Sequence, residues 1–255
     1  LQTPRGAGAG DVSVAAQIRR HKVTLLQCTP SFASILTANQ DALEALQLVR
    51  HIVLGGETLP PALAEQLTQE LPGRIYNLYG PTETTVWSTG SVLSRDAKTI
   101  GIGRPLANTR VYLLDAFLQP APIGVVGEIF LGGEGLARGY WQHADLTAER
   151  FVPNPFSAEP GARLYRTGDL ARYGDDGQIE FVGRIDQQVK IRGHRIELGE
   201  IESVLTRHPW VREGVVIARP DRAGRASLAA YVVPEEGGPG SPVVPGSDAV
   251  QGPAP

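Results

Sequence analysis

The chain has 255 residues, of which 42% are hydrophobic and 20% are charged, as in an ordinary globular protein. Its formal net charge of −3 argues against nucleic acid as a general partner, because a phosphate backbone favours a basic surface. The single cysteine, Cys28, excludes an internal disulfide framework, and no apolar run approaches the roughly 20 residues of a membrane span. We therefore expect no membrane partner, and a cytoplasmic location by default.

Methionine is absent from the chain and lysine is scarce. Because there is no initiator residue, we expect the chain to be either processed or an interior piece of something longer. The lysines are Lys22, Lys98 and Lys190, among 24 basic residues. No lysine follows Lys190, so the last part of the chain offers arginine as its only permanently charged cation.

Strand-like and helix-like patterns alternate through the first part of the chain. Short, nearly all-apolar runs are typical of parallel strands that are covered on both faces. The alternation predicts an α/β layer with a parallel sheet. The predicted helices cover Asp11–His21, Pro30–Ala38 and Pro60–Leu71, and the predicted strands cover Val23–Cys28, Ile52–Leu54 and Arg74–Leu78.

After residue 85 the pattern changes to short strands separated by Gly- and Pro-rich turns, which indicates a small barrel or a distorted antiparallel unit. From Pro234 onward Pro, Gly, Ser and Asp dominate, so we expect a disordered tail. The predicted strands are Val111–Leu114, Glu128–Leu131, Arg163–Arg166, Ile179–Val182, a hairpin of Val189–Ile191 with Arg195–Ile196, Val211–Ala218 and Leu228–Val233, and the predicted helices are Asp145–Phe151 and Leu198–Arg207.

The strand exit at Asn77–Thr85 carries the most informative residues. Tyr79 offers a flat ring on which a purine can stack, a contact worth about 1–3 kcal/mol. Gly80 turns the chain sharply and lets the backbone approach a ligand, and Glu83 is an oxygen donor of the kind that Mg²⁺ takes. On this run alone, a packed tyrosine beside a solvated glutamate explains the sequence equally well.

Two later segments add polar groups. Asp169 follows a strand and a glycine, where it can accept hydrogen bonds from both ribose hydroxyls, although a turn that closes a hairpin is the simpler interpretation. Lys190 and Arg192 share one face of a strand and can meet phosphates, but a charged edge strand explains them too. Asp186 lies between two strands and is a candidate hinge.

The order and spacing of these motifs resemble the adenylation domains of non-ribosomal peptide synthetases, members of the acyl-adenylate-forming superfamily, over roughly residues 10–234. The matching runs are Asn77–Thr85, Gly127–Phe156, Tyr165–Asp169, Gly183–Gly193 and Gly199–Glu202. The resemblance implies the C-terminal half of the large subdomain at 1–185, with a parallel sheet and a small β-barrel-like unit. It also implies a truncated small α+β subdomain at 186–234 and the disordered tail at 235–255.

The resemblance implies a reaction in which ATP, Mg²⁺ and an amino acid give an aminoacyl-adenylate and pyrophosphate. A phosphopantetheine thiol on a peptidyl carrier domain then takes the acyl group, and a neighbouring condensation domain is expected. The resemblance also implies a role for each site residue. Around the nucleotide, Tyr79 stacks on adenine beside Gly80, Thr82 contacts phosphate, Glu83 holds Mg²⁺, Asp169 binds the ribose and Arg184 contacts the nucleotide. Asp186 is the hinge, and Lys190 and Arg192 lie near the carrier arm.

By the same resemblance, a set of mostly apolar residues lines the amino-acid pocket, which favours a neutral substrate side chain. The alternative is that these residues are simply core. The set consists of Gln27, Ile52, Leu54, Leu78, Val86 and Trp87.

Two family features are missing from the sequence. One is a Ser/Thr/Gly-rich phosphate loop with a lysine, together with the upstream aspartate that grips the amino group. The other is the essential C-terminal lysine, a kind of group whose removal costs about 10²–10³ in rate. We therefore expect the isolated chain to be an incomplete, inactive fragment. Two alternatives remain open: a fragment of an acyl- or aryl-CoA ligase, and a degenerate protein that binds nucleotide or a carrier without adenylation.

Overall fold

The computed structural model describes residues 11–95, 99–186, 188–191, 193–220 and 226–235. The predictions for Arg192 and for the tail beyond Glu235 lie outside these residues. The chain divides into two compact units, the first up to Asp186 together with Lys190–His194, and the second with Gln187–Val189 and the residues from Arg195 onward. The proposed domain boundaries remain predictions.

The first unit begins with a five-stranded sheet. Its first three strands run parallel to one another, which confirms the predicted α/β layer. The fourth strand is antiparallel to the third and the fifth is antiparallel to the fourth, and neither was predicted. The strands, in spatial order, are β1 (Leu25–Cys28), β2 (His51–Gly55), β3 (Arg74–Tyr79), β4 (Thr89–Val92) and β5 (Arg104–Pro105).

Helices cover one face of this sheet. They are α1 (Val14–His21), α2 (Pro30–Thr37), α3 (Gln40–Leu46) and α4 (Pro61–Glu70). Ile52, Leu54 and Ile75 pack against them and are at most 2% exposed. On the other face Leu25 is 57% exposed. The prediction that β1 is covered on both faces is therefore wrong, because β1 lies at the edge of the described sheet and its alternate residues point away from the helices.

The N-cap of the first helix lies two residues after Asp11, the residue at which the predicted helix begins. The hydroxyl of Ser13 accepts a hydrogen bond from the Ala16 N–H at 3.2 Å and is the N-cap. The Asp11 carboxylate accepts from the Ser13 N–H at 2.8 Å, so it holds the capping residue rather than the helix itself. Helix α3 was not predicted, although Asn39 caps it in the same way by accepting from the Ala42 N–H at 3.0 Å.

The second part of the first unit is an antiparallel sheet of the kind expected after residue 85. Its spatial order is β10–β9–β7–β6, with β8 paired to β9. The two sheets of the unit are joined where Gly103 and Ile179 pair, with an Ile179 N–H to Gly103 C=O distance of 2.8 Å. The elements are β6 (Thr109–Leu114), β7 (Gly127–Gly133), α5 (Ala144–Arg150), β8 (Phe151–Pro153), β9 (Arg163–Tyr173) and β10 (Ile179–Arg184).

A short hairpin of β11 (Val189–Ile191) and β12 (His194–Ile196) follows, as predicted. The second unit contains α6 (Leu198–Leu205), β13 (Val211–Pro220) and β14 (Ala226–Pro234). The Glu202 carboxylate accepts from the Val216 N–H at 2.8 Å and fastens α6 to β13. None of the helices in the described part of the chain has the length and apolarity that a membrane crossing requires.

Candidate functional site

The segment that leaves β3 folds back tightly on itself. The Ser88 N–H donates to the Tyr79 carbonyl at 2.8 Å, and Thr82–Thr84 form a single 3₁₀ turn between them. A methyl group on Gly80 would lie 2.4 Å from the Val86 carbonyl oxygen, so only glycine permits this approach. The sequence of this exit therefore places Glu83 at the head of a closed turn, where it is 7% exposed.

Two β-branched residues in the turn adopt left-handed backbone conformations. The φ angles are 59° at Thr85 and 72° at Val86, a region that such side chains rarely enter. The Thr85 hydroxyl donates to the Gly135 carbonyl at 2.8 Å, so the loop after β7 holds the turn from outside. Strain of this kind persists only where the surrounding structure enforces it, and it is common at ligand sites.

We expect the substitution Val86→Asn to stabilise the chain by about 1 kcal/mol, because asparagine enters the left-handed region at a much lower cost than valine. The matched control is Val92→Asn, since Val92 is similarly exposed, 57% against 52% for Val86, but lies in the regular strand β4. Asparagine is disfavoured in strands, so the control loses up to about 1 kcal/mol. Urea unfolding measures both changes, and equal losses at the two positions would show that Val86 is not strained.

The Glu83 carboxylate meets a tyrosine from a distant loop. The Tyr140 hydroxyl donates to Glu83 Oε1 at 2.6 Å and lies 3.4 Å from the Tyr165 hydroxyl. Burial, followed by the hydrogen bonds to Glu83 and Tyr165, raises the pKa of Tyr140 above its ordinary value. The phenol thus stays protonated and acts as a donor. Nothing in the Gly127–Phe156 run predicted this contact.

Asp169 is the centre of a second cluster, and it is 4% exposed. Its carboxylate accepts from the Tyr79 hydroxyl at 2.5 Å and forms an ion pair of 2.5 Å with Arg184 Nη1. Strands β9 and β10 create this pair because their register sets Arg184 opposite Asp169. The structure thus brings together Tyr79, Asp169 and Arg184, which belong to three separate sequence motifs.

Arg184 also binds the predicted hinge residue. Its Nε and Nη2 atoms donate to the two carboxylate oxygens of Asp186 at 2.6 and 2.7 Å. Burial disfavours the charged guanidinium, but Asp186 and Asp169 outweigh this cost and raise the pKa of Arg184. Burial, and next the neighbouring Asp169 carboxylate, raise the pKa of Tyr79 well above its ordinary value. The Tyr79 hydroxyl therefore stays protonated and donates a hydrogen bond to Asp169, a contact that the predicted stacking role did not include.

Lys190 lies at the same cluster. Its ammonium group is 5.8 Å from the centre of the Tyr79 ring, within the range of a cation–π contact. The sequence placed Lys190 and Arg192 near a carrier arm. The structure places Lys190 beside the residues predicted to bind nucleotide, and Arg192 lies outside the described residues.

The residues predicted to line the amino-acid pocket do not all share one surface. Paired residues of neighbouring strands point to the same face, and Gln27 pairs with Val53 while Gly55 pairs with Leu78. Gln27 and Leu78 thus lie on the face opposite the helices. Ile52 and Leu54 point the other way, into the core, where they are 1% and 0% exposed. The structure does not bring these two residues together with the rest of the predicted set.

In β2, the residues on the same face as Gln27 and Leu78 are Val53 and Gly55, and not Ile52 and Leu54 as predicted. Trp87 lies against this face, because a methyl group on Gly55 would be 2.3 Å from Cη2 of its ring. Val86 is 52% exposed on the adjoining turn. The run Ile52–Gly55 is apolar throughout, so its composition could not show which alternate residues face the helices.

Cys28 lies on the helix-covered face and is half-buried. Burial, and secondarily the Glu57 carboxylate, raise the pKa of its thiol to about 11. The Glu57 Oε2 atom accepts from the Ser31 N–H at 2.9 Å, which holds the carboxylate close to the start of α2. This environment is not that of a nucleophile, because reactive cysteines have lowered pKa values.

We expect alkylation of Cys28 by iodoacetamide to be slow at neutral pH and to rise with a midpoint near the pKa of about 11. With that pKa, about one thiol in a thousand is ionised at pH 8. Glu57→Gln removes a negative charge and lowers the midpoint. In urea, the unfolded chain should show the ordinary midpoint near pH 8.5. A midpoint of about 8.5 in the folded chain would contradict the burial of the thiol.

Among the described residues, no three His, Cys, Asp or Glu side chains are grouped as the ligands of one metal ion. An all-protein metal cage is therefore not found there. A Mg²⁺ ion bound largely through nucleotide phosphates needs only one or two carboxylates from the protein. The Glu83 carboxylate, on the turn that follows β3, fits that donor set.

Comparison with known proteins identifies the family. Residues 4–141 match the model of the AMP-binding enzymes and residues 200–249 match the AMP-binding enzyme C-terminal domain. The dimodular nonribosomal peptide synthase from Bacillus subtilis is 47% identical over 223 residues, which cover 87% of this chain and 9% of that protein. The chain therefore spans a small part of the length of this curated relative.

Solved structures agree with the sequence match. A holo-PA1221 structure, a nonribosomal peptide synthetase protein containing adenylation and carrier (PCP) domains, matches with a TM-score of 0.80 and 31% identity, over 87% of this chain and 39% of that one. The Vibrio cholerae adenylation domain AlmE, in complex with glycyl-adenosine-5′-phosphate, matches with a TM-score of 0.75 and 29% identity, over 86% of this chain and 43% of that one. The chain therefore belongs to the AMP-binding enzyme family of adenylate-forming ligases and represents part of an adenylation domain of the nonribosomal peptide synthetase type.

Proposed function

We propose that the chain provides the nucleotide-binding residues of an enzyme that activates an amino acid with ATP in the cytoplasm. The product is an aminoacyl-adenylate, formed when the amino-acid carboxylate attacks the α-phosphate and pyrophosphate leaves. The observation that carries the proposal is the buried cluster of Tyr79, Asp169 and Arg184, since the fold joins three separate family motifs at one point.

The chemistry of each side chain supports a role in this reaction. Tyr79, which is 7% exposed, would stack on adenine, Gly80 keeps the following turn closed, and Asp169 offers charge-assisted hydrogen bonds to the ribose hydroxyls. Arg184 offers a permanent positive charge toward the nucleotide. The Asp169 carboxylate is held by Tyr79 and Arg184, so ribose binding requires Arg184 to give up or share this contact.

Glu83 and Thr82 serve the phosphate side of the proposed site. Glu83 would hold Mg²⁺, which neutralises phosphate charge when it is bound. Thr82 is exposed at the head of the turn, where its hydroxyl can donate to a phosphate oxygen. Both residues lie on the closed turn that Gly80 permits.

The proposed amino-acid pocket uses the sheet face away from the helices. Gln27, Leu78, Val86 and Trp87 keep their proposed roles, and Val53 and Gly55 replace Ile52 and Leu54. The residues are mostly apolar, which favours an amino acid with a neutral side chain. Strand β3 ends at the turn that carries Glu83, and β1 and β2 run parallel to β3, so their carboxyl ends lie at the same edge of the sheet, where ligands bind in open α/β sheets.

We further propose that the acyl group passes to the phosphopantetheine of a peptidyl carrier domain, with a condensation domain as neighbour in the complete synthetase. The carrier domain of the holo-PA1221 protein supports the first partner. Asp186 would be the hinge, and Arg192 would face the carrier. Lys190 contacts the Tyr79 ring and is proposed here as a group beside the nucleotide.

The 255 residues by themselves are proposed to be inactive. No lysine follows Lys190 in the sequence, so the positive charge that the family supplies at the transferring centre is absent. The second candidate function is a protein that binds nucleotide or a carrier without adenylation.

Pyrophosphate exchange tests the proposal. The assay is run on this chain and on a version extended at both ends from its genomic context, against a panel of amino acids and simple acyl acids. We expect exchange in the extended version only, with one or a few neutral amino acids. Exchange with acyl or aryl acids instead would support a CoA ligase, and no exchange in either version would support the non-catalytic binder.

A further inference from the structure

We propose that Tyr140 is a positioning residue that fixes the carboxylate of Glu83 for divalent-cation binding. This inference rests on the proposed function, because it assigns a partner to the residue that would hold Mg²⁺. Tyr140 belongs to the run Gly127–Phe156, in which the sequence analysis assigned no site residue. Its own contacts point to a second role.

The loop that carries Tyr140 binds Glu83 at two points. The Tyr140 hydroxyl donates to Glu83 Oε1 at 2.6 Å, and the Ala137 N–H donates to the Glu83 carbonyl oxygen at 2.8 Å. The two residues of the side-chain contact are 57 positions apart in the sequence, so the fold itself brings them together. One loop therefore fixes both the backbone and the side chain of Glu83.

Tyr140 is itself held in place. Its N–H donates to the Thr147 hydroxyl at 2.9 Å, and that hydroxyl donates to the His143 carbonyl at 2.7 Å. Gly139, with a φ of 148°, lies so close that a methyl group there would be 2.4 Å from the Thr147 Cγ2 atom. The Tyr140 ring packs edge-on against Phe151, with ring centres 5.7 Å apart. A phenol with so little freedom can orient its acceptor.

The direction of this hydrogen bond is fixed. A phenol keeps its proton at neutral pH, since its ordinary pKa is about 10, so the Tyr140 hydroxyl has a hydrogen to donate to Glu83 Oε1. An ionised carboxylate only accepts. The contact therefore fixes the orientation of the Glu83 carboxylate, and carboxylates that ligate metals are commonly held by such hydrogen bonds.

Unfolding of the chain provides the first test. Tyr140→Phe, Glu83→Ala and the double variant form a cycle, with urea unfolding as the readout, and each single variant removes the hydrogen bond. Because a hydrogen bond to a charged group is involved, we expect the two changes to be coupled by at least about tenfold in the unfolding equilibrium constant. Additive effects would overturn the proposal. The matched control is Tyr173→Phe, which removes the hydroxyl that donates to the Val111 carbonyl at 3.4 Å and should show no coupling to Glu83→Ala.

Magnesium dependence provides the second test, and a purely structural role would leave it unchanged. In the extended version, binding of a fluorescent ATP analogue is titrated with MgCl₂. Tyr140→Phe should raise the Mg²⁺ concentration at half-saturation by about 10- to 100-fold, while binding in EDTA stays as in the wild type and Tyr173→Phe changes neither. If the wild type binds Mg²⁺–ATP and Tyr140→Phe has the same Mg²⁺ midpoint, the inference about Tyr140 is overturned and the proposed function is not. A wild-type protein that binds no Mg²⁺–ATP overturns the proposed function and, with it, the assignment of Tyr140 to the cation.

Discussion

Replacing Asp169 with alanine should destabilise the chain by about 3–5 kcal/mol, because it leaves a buried guanidinium without one of its partners. The Asp169 and Arg184 side chains are 5% and 12% exposed, and the Tyr79 hydroxyl loses its acceptor at the same time. Asp169→Asn keeps the shape of the side chain but loses the charge, and we expect a loss of about 2 kcal/mol. Urea unfolding monitored by circular dichroism measures both values.

A control pair lies on the same two strands. Arg172 and Glu180 form an ion pair of 2.9 Å between β9 and β10, but their side chains are 49% and 20% exposed. Solvent screens such a pair, so Glu180→Ala should cost no more than about 1 kcal/mol. Equal losses for Asp169→Ala and Glu180→Ala would contradict the description of Asp169 as the centre of a buried cluster. In the extended version, Asp169→Ala should also abolish measurable ATP binding, and Glu180→Ala should not.

Replacing Gly80 with alanine should cost about 3 kcal/mol and disrupt the turn that carries Glu83. The added methyl group would lie 2.4 Å from the Val86 carbonyl oxygen and 2.8 Å from the Ser88 nitrogen. Both atoms belong to the backbone, so relief requires the turn to open, which costs more than the movement of a side chain. Opening the turn separates Glu83 from Tyr140, so Mg²⁺-dependent ATP binding in the extended version should weaken as well.

Gly183→Ala is the matched control for Gly80. Gly183 lies in β10, and nothing is within 4 Å of the position that its methyl group would take. Gly183→Ala should therefore leave the free energy of unfolding within about 0.5 kcal/mol of the wild-type value. If Gly80→Ala were tolerated equally well, the described contact between Gly80 and the backbone of Val86 and Ser88 would be wrong.

Much of the fold follows from local sequence. The apolar runs that become β2 and β3, and the prolines that begin α2 and α4, are signals that lie within one element. Strands β4 and β5 lack such signals, because β4 forms by pairing with β3 and β5 forms by pairing with β4, rather than through their own composition. The edge position of β1 also could not be predicted, since exposure is a property of the sheet and not of the run Leu25–Cys28.

The candidate site shows the same division. Family motifs led to Tyr79, Asp169 and Arg184, and the structure adds that they bind one another, across 90 residues in the case of Tyr79 and Asp169. The role of Tyr140 could not be predicted, because a tyrosine in a glycine-rich run carries no sign of its distant partner. The sequence also could not show which β2 residues face the helices, since Ile52, Val53 and Leu54 are all apolar.

The contact between Gly55 and Trp87 limits how the proposed pocket can be redesigned. A side chain at position 55 would meet not only the Trp87 ring but also the Leu78 carbonyl oxygen, 2.7 Å from its first carbon. Shrinking the residue at 87 removes the first obstacle and leaves the second, so position 55 stays glycine in any functional variant. If the proposed pocket binds the amino acid, a single substitution at position 87 would change the size of the substrate side chain that it accepts. A library at position 87 alone should yield folded variants, whereas a library at position 55 should yield few.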